Sequence, residues 1–160
     1  MQKQLSHGAQ KVQASLASGG FSCEVVELPT STRTAKEAAE AIGCTLAQIA
    51  KSLLFVTQTT RRPVLVIASG ANRVNESALG EILGEPVTKA DADFVQEKTG
   101  FVIGGVPPLA HAEPIITFLD EDLRQYQEIW AAGGSPTAVF RLNPTELETM
   151  SRGRWVRTRK

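Results

Sequence analysis

Two segments carry residue types that can do chemistry. Gln48-Ile-Ala-Lys-Ser-Leu-Leu-Phe-Val56 sets one ammonium, Lys51, at the mouth of a strongly apolar stretch. Gly100-Phe-Val-Ile-Gly-Gly-Val-Pro-Pro108 takes the backbone through two adjacent glycines and then stiffens it with two prolines. A lysine aimed into a cleft would hold a phosphate or polarise an ester carbonyl. Paired glycines such as Gly104 and Gly105 let a ligand approach main-chain amides, which bind an anion or a developing oxyanion. Each feature also has a plainer reading: a lysine at a strand's start ordinarily reaches solvent, and two glycines ordinarily make a turn or bulge. The glycines are not a phosphate loop, because no GxxxxGK[ST] pattern is present and Pro107-Pro108 removes two donors. A Schiff-base role for Lys51 would need a carbonyl substrate and a desolvated amine, and nothing local specifies either.

The other reactive side chains are scattered. His7 and His111 are far apart; His111 follows the proline pair closely and would either line the same pocket or sit in an exposed loop. Cys23 and Cys44 make neither a CxxC nor a zinc-type spacing, so both read as small packing residues in a reduced, cytoplasmic setting. No metal site or cofactor is expected. No GxSxG elbow, Ser/His/Asp order or carboxylate pair is recognisable. Ser69-Gly-Ala-Asn-Arg-Val-Asn75 is a polar loop after an apolar strand, which suits Ser69 and Asn72 to a pocket rim and Asn75 to a helix cap. Arg152, Arg154, Arg157, Arg159 and Lys160 crowd the C-terminal end around Trp155. They read either as a solvated terminal strand or tail, or as a small phosphate-binding patch.

The elements that would position these residues are legible from caps and periodicity. Leu5, Val12 and Leu16 mark an amphipathic helix over 2–18 that ends at Gly19-Gly20, and 21–28 alternates as a strand. Thr34-Ala-Lys-Glu37 fits a capping box opening a helix to Ile42, stopped at Gly43. A short helix over 46–50 would deliver Lys51. The runs 52–57 and 64–68 predict a hairpin in which Lys51, Leu53 and Phe55 share one face, and Ser52, Leu54 and Val56 the other. Asn75 and Asp91 would cap helices to Leu83 and Lys98; 114–119 and 137–141 read as strands. Asn143-Pro144 starts a helix to about Met150. The sum is one mixed α/β domain over 1–160, with short strands, some antiparallel, and no sustained βαβ alternation.

Bulk properties set outer limits. A chain of 160 residues is long enough for a proper core. No apolar run approaches the ~20 residues of a membrane span, and the polar N-terminus lacks a signal-peptide core. Lys plus Arg number 17 against 17 Asp plus Glu, a balance that argues against coating long nucleic acid but not against gripping a short end.

Taken together, the Thr34-x-x-Glu37 helix, Gly43, Lys51-Ser-Leu-Leu-Phe-Val56, Ser69-Gly-Ala-Asn-Arg-Val-Asn75, Thr99 through Pro108 and His111 resemble the YbaK/prolyl-tRNA-synthetase-associated family over about residues 10–157. The resemblance implies a curved, partly barrel-like mixed sheet surrounded by helices. It implies hydrolysis of the ester between a wrong, small amino acid and the tRNA 3′ end by a free-standing member. The runner-up function is a non-catalytic acceptor-end binding module associated with a synthetase. The family's lysine falls on Lys51 and its substrate-loop glycine on Gly104, with Gly105, Val106, Pro107, His111, Ser69 and Asn72 around the substrate. Arg154, Arg157 and Arg159 would receive the tRNA. The implied partners are a mischarged tRNA and a synthetase, with the protein a monomer or homodimer. Two departures stand out. Ala110 occupies a place where relatives often have glycine. Val26 and Val139 fall near the tyrosine and aspartate of the cysteine-specific members.

Overall fold

The computed structural model describes residues 4–29 and 34–159; residues 2 and 3 of the expected first helix, and Lys160, lie outside them. The elements run α1 (His7–Ser18), β1 (Val25–Glu27), α2 (Ala35–Ile42), a 3-10 turn (Leu46–Gln48), β2 (Ile49–Thr57), β3 (Pro63–Ser69), α3 (Glu76–Leu83) and β4 (Val87–Lys89). They continue with α4 (Ala92–Thr99), β5 (Ile116–Asp120), a second 3-10 turn (Glu121–Gln125), β6 (Ile129–Ala132), β7 (Ala138–Leu142), α5 (Pro144–Ser151) and β8 (Arg154–Val156).

The helix boundaries follow from their caps. Thr34 Oγ1 accepts from the Glu37 amide at 3.1 Å, Asn75 Oδ1 from Ala78 at 3.1 Å, and Asp91 Oδ1 from Phe94 at 2.8 Å. Asn143 Oδ1 accepts from Glu146 at 2.8 Å, with Pro144 opening the helix. Each cap satisfies an amide that the first helical turn leaves without a partner.

All the strands join one mixed sheet ordered β1-β7-β6-β2-β3-β5-β8, with β4 also paired to β2. The β2/β3 hairpin runs in register from Ala50 opposite Ser69 to Val56 opposite Pro63. Its alternation is the one the sequence predicts. Ala50, Leu54, Leu65 and Ile67 pack into the larger core with α1, while Phe55, Val64, Val66 and Ala68 pack on the other face with Leu79 of α3. Burial of each large side chain contributes about 1.5–3 kcal/mol, so this doubly covered hairpin is the centre of the molecule.

Several local expectations are corrected: α1 begins at His7 behind its Ser6 cap rather than at residue 2, and β1 spans Val25–Glu27 rather than 21–28. The 3-10 turn stops at Gln48, so Lys51 is the third residue of β2 rather than the residue a helix delivers to the strand's start. Parallel pairing of Ile49 and Ala50 with Trp130 and Ala131 draws those residues into the strand, a long-range effect that local periodicity does not carry. The short strands β4 and β6 were also not foreseen. Of the two plain forms expected for the C-terminal cations, strand or tail, the strand is found: β8 pairs in parallel with β5, Val74 bridges Arg159, and Arg154 and Arg157 are exposed.

Asp120 ties the ends of these strands together. It is 0% exposed; its Oδ2 accepts from the Ser69 amide at 3.0 Å and Asn72 Nδ2 at 2.8 Å, and its Oδ1 from the Asp122 amide at 3.0 Å. Asn72 Nδ2 also donates to Asp122 Oδ2, which pairs with Arg159 Nε at 3.0 Å. A carboxylate this enclosed is tolerated because its oxygens are met by donors. Replacing it with alanine strands buried donors, so Asp120→Ala is expected to cost about 2–3 kcal/mol in urea unfolding. A loss below about 0.5 kcal/mol would show that the network is ornamental.

Candidate active site

On the edge away from β3, β2 is flanked by β6 only at Ile49 and Ala50, and by β4 only at Phe55 to Thr57. Among the described residues the interval 51–54 has no strand neighbour there, although the Ala90 amide just beyond β4 bonds the Leu54 carbonyl. A cavity of about 280 Å³ opens against this gap, lined by Ala35 and Ala38 of α2, Lys51, Ser52 and Leu53, and closed by Ile103, Gly104 and Val106. Trp130, Ala131, Ala132 and Val139 of β6 and β7 complete it. The two segments singled out in the sequence therefore meet in space.

Glycines set the close approaches. A Cβ on Gly70 would lie 2.5 Å from the Leu46 carbonyl oxygen and 2.9 Å from Ala35 Cβ, so only glycine lets the turn and α2 settle on the end of β3. A Cβ on Gly105 would lie 2.8 Å from Ser135 Cα, which seats the loop against the turn before β7. Gly104, at φ 89°, turns the chain over the cavity mouth in a conformation that suits glycine.

Lys51 is partly buried, and its pKa is lowered, first by desolvation and then by Lys89 and Arg73, with Asp120 acting in the opposite sense. Lys89 stands opposite Phe55 and so on the face of the sheet that Lys51 shares. Arg73 precedes Val74, whose side chain packs with Phe55 on that same face. None of these three cations forms a salt bridge among the described residues. An anion arriving beside Lys51 would relieve their mutual repulsion.

The remaining sequence-derived site residues divide. Val106 lines the cavity, whereas Gly105 and Pro107 are buried in the loop that carries it. His111 lines a second cavity, with Arg152 and Arg154. Its Nε2 lies 2.7 Å from the Pro107 carbonyl oxygen, which can only accept, so this nitrogen carries the proton. Burial lowers the His111 pKa; the Pro107 bond opposes that, and Lys11 adds to it. In this position His111 braces the proline loop. Ser69 and Asn72 stand behind the site in the Asp120 network. Arg154 and Arg157 are exposed, Arg159 is held by Asp122, and none of the three lines the Lys51 cavity. Sequence reasoning missed Ser52, Trp130 and Ala131 as lining residues, and Arg73 and Lys89 as the cations beside Lys51. The β-alternation could have flagged Lys89 only once the pairing of β4 with β2 was known.

The cavity thus combines an ammonium, a glycine turn and an apolar wall in a single mixed α/β domain. The model of the aminoacyl-tRNA editing domain matches residues 30–150, and the chain belongs to that family. It is 34% identical over 128 residues to "Uncharacterized protein YwhH" of Bacillus subtilis, covering 80% of this chain and 81% of that one. It is 30% identical over 95 residues to a "Proline--tRNA ligase" of Limosilactobacillus fermentum, covering 57% of this chain but 17% of that protein. A solved structure described as "a putative trans-editing enzyme for prolyl tRNA synthetase" superposes with a TM-score of 0.91 at 45% identity, over 98% of this chain and 99% of that one. Aminoacyl-tRNA editing is the function this family defines. No helix among the described residues is long and apolar enough to cross a membrane.

Two measurements test the site as described. Lys89→Ala and Arg73→Ala each remove a like charge and are expected to raise the Lys51 pKa, read by NMR titration of its ammonium; no rise in either variant would contradict the shared face. Ala110 sits at φ 68° without being glycine. Relief of left-handed strain of about 1–2 kcal/mol, less the entropy a glycine adds to the unfolded chain, predicts that Ala110→Gly holds or raises stability. A clear fall in its urea midpoint would mean the alanine methyl is packed to advantage.

Proposed function

We propose that the protein is a deacylase that hydrolyses, in trans, the ester joining a small amino acid to the 3′ end of a mischarged tRNA. The observation that carries this reading is Lys51 facing the Gly104 turn across a small, largely apolar cavity. A volume of about 280 Å³ sits at the lower end for ligand pockets, enough for a small aminoacyl group while the terminal nucleotide stays at the mouth. Its lining holds no cysteine, histidine or carboxylate among the described residues, so no activated nucleophile is in place. An aminoacyl ester is already labile. A positioned water, charge stabilisation and steric selection are sufficient to hydrolyse it.

In this reading Lys51 holds the terminal phosphate or the ester carbonyl oxygen, and the Gly104 loop sets the aminoacyl group against Val106 and the β6 wall. Water attacks the ester carbon, helped by the ribose 2′-hydroxyl, and the ribose oxygen leaves with a proton to give the free amino acid and uncharged tRNA. Admission by size follows double-sieve logic. Apolar Val139 in the wall, with no acid among the described lining residues, favours a small apolar residue. The names carried by the prolyl-tRNA relatives make the proline tRNA the first to test, with its synthetase as the companion enzyme. Arg73 and Lys89 flank Lys51 and would meet the acceptor backbone first; Arg154 and Arg157 would meet it farther from the ester.

The decisive experiment is a deacylation panel of small-residue mischarged tRNAs. Ester loss above buffer is expected for at least one, and Lys51→Ala is expected to lower kcat/KM by roughly 100-fold or more. Binding without turnover would instead make the protein an acceptor-end binding module. Arg73→Ala with Lys89→Ala should raise KM and flatten the logarithmic salt slope by roughly one to two units. The same change at Arg154 and Arg157 should do less. The reverse order would place the backbone path along β8.

A further inference from the structure

Two buried side-chain polar atoms among the described residues lack a hydrogen-bond partner, Ser52 Oγ and Thr158 Oγ1, and only Ser52 belongs to the Lys51 cavity. Ser52 sits in the middle of the unflanked interval of β2. The Ala90 amide bonds the Leu54 carbonyl at 3.0 Å, so even-numbered residues of β2 direct their main-chain groups toward the β4 and β6 edge. The Ile49 carbonyl is taken by Gly70 on the β3 side, which fixes the opposite parity for odd-numbered residues. Ser52 therefore turns its amide and carbonyl into the gap between β6 and β4. It presents a main-chain donor, a main-chain acceptor and an uncommitted hydroxyl in one place.

We propose that Ser52 orients the substrate by receiving the α-ammonium of the aminoacyl group through its hydroxyl and main-chain carbonyl at the open edge of β2. This rests on the deacylase reading above. The substrate presents phosphate and ester oxygens to be held and an ammonium to be kept from other cations. Strand alternation separates these tasks: Lys51 lies on the face that Arg73 and Lys89 make positive, whereas Ser52 lies on the opposite face with Ala50 and Leu54. Among the described residues the other lining hydroxyl, Thr34 Oγ1, is committed to capping α2. Trp130 offers only a donor, so it cannot receive the ammonium. A single rotation about the Ser52 Cα–Cβ bond changes where its hydroxyl points.

The test compares Ser52→Ala and Ser52→Thr with the unaltered protein, on an aminoacyl-tRNA and on its N-acetylated form, whose nitrogen carries no charge. Ser52→Ala is expected to lose roughly 10- to 100-fold in kcat/KM on the free-amine substrate. It should lose less than about threefold on the N-acetylated one, with activity restored in Ser52→Thr. An equal loss on both substrates would assign the hydroxyl to the ester or water and overturn the proposal. Full activity of Ser52→Ala on both would overturn it too, while leaving the deacylase reading intact. An unaltered protein that hydrolyses neither substrate would fail that reading first. The thermal midpoint of Ser52→Ala should not fall, because the hydroxyl it removes bonds nothing in the free protein. Binding of a non-hydrolysable 3′-aminoacylamino-adenosine, in amine and N-acetyl forms, gives the same contrast without turnover.

Discussion

The site depends on an interruption in pairing along one strand. β3 follows β2 over most of its length, but the other edge of β2 is shared between β6 at the start and β4 at the end. A continuous neighbour there would fill the space with side chains and satisfy every main-chain group. Because neither short strand reaches the interval 51–54, the sheet keeps a gap inside a well-packed hairpin. Lys51 is thus carried on a rigid element while its surroundings remain open, a combination that a loop would not provide as firmly.

Around that gap the molecule spends its special backbone positions. Gly70 brings the turn and α2 close, Gly105 lets the proline loop lie on the turn at Ser135, and Gly104 bends over the mouth. Thr99 secures the start of that loop, its hydroxyl donating to the Val95 and Phe101 carbonyls and accepting from the Phe101 amide. His111 secures its far side through Pro107. These groups hold the cavity's shape without lining it. Charge is arranged in the same spirit: Asp120 is enclosed by donors behind Lys51, while Arg73 and Lys89, on its face, form no salt bridge among the described residues.

Membership of the aminoacyl-tRNA editing family agrees with this economy. Under the deacylase reading proposed above, the domain would admit a small aminoacyl group, reject larger ones and grip only the end of a long anion. Equal numbers of acidic and basic residues over the whole chain suit that limited grip, since three local cations on one face do not require a strongly basic protein.

The sequence by itself determined what is local. Thr34, Asn75, Asp91 and Asn143 cap the helices they were expected to cap, because a side chain bonding an amide three residues on needs no tertiary partner. The β2/β3 hairpin and the faces of Leu53, Leu54 and Phe55 were legible for the same reason, since strand alternation has a period of two whatever the neighbours. The meeting of Lys51 with Gly104 was suggested by family resemblance, not by spacing. Only the tertiary structure decided which residues share the cavity. Ser52, paired with Ile67 on one side, is distinguished by the lack of a strand neighbour on the other among the described residues, and Lys89 by register with Phe55 on a strand of three residues. Arg159 looked like a free cation until Asp122 reached it from 37 residues away in the chain. Such contacts join segments distant in sequence, and their energy lies in the pairing rather than in either residue alone.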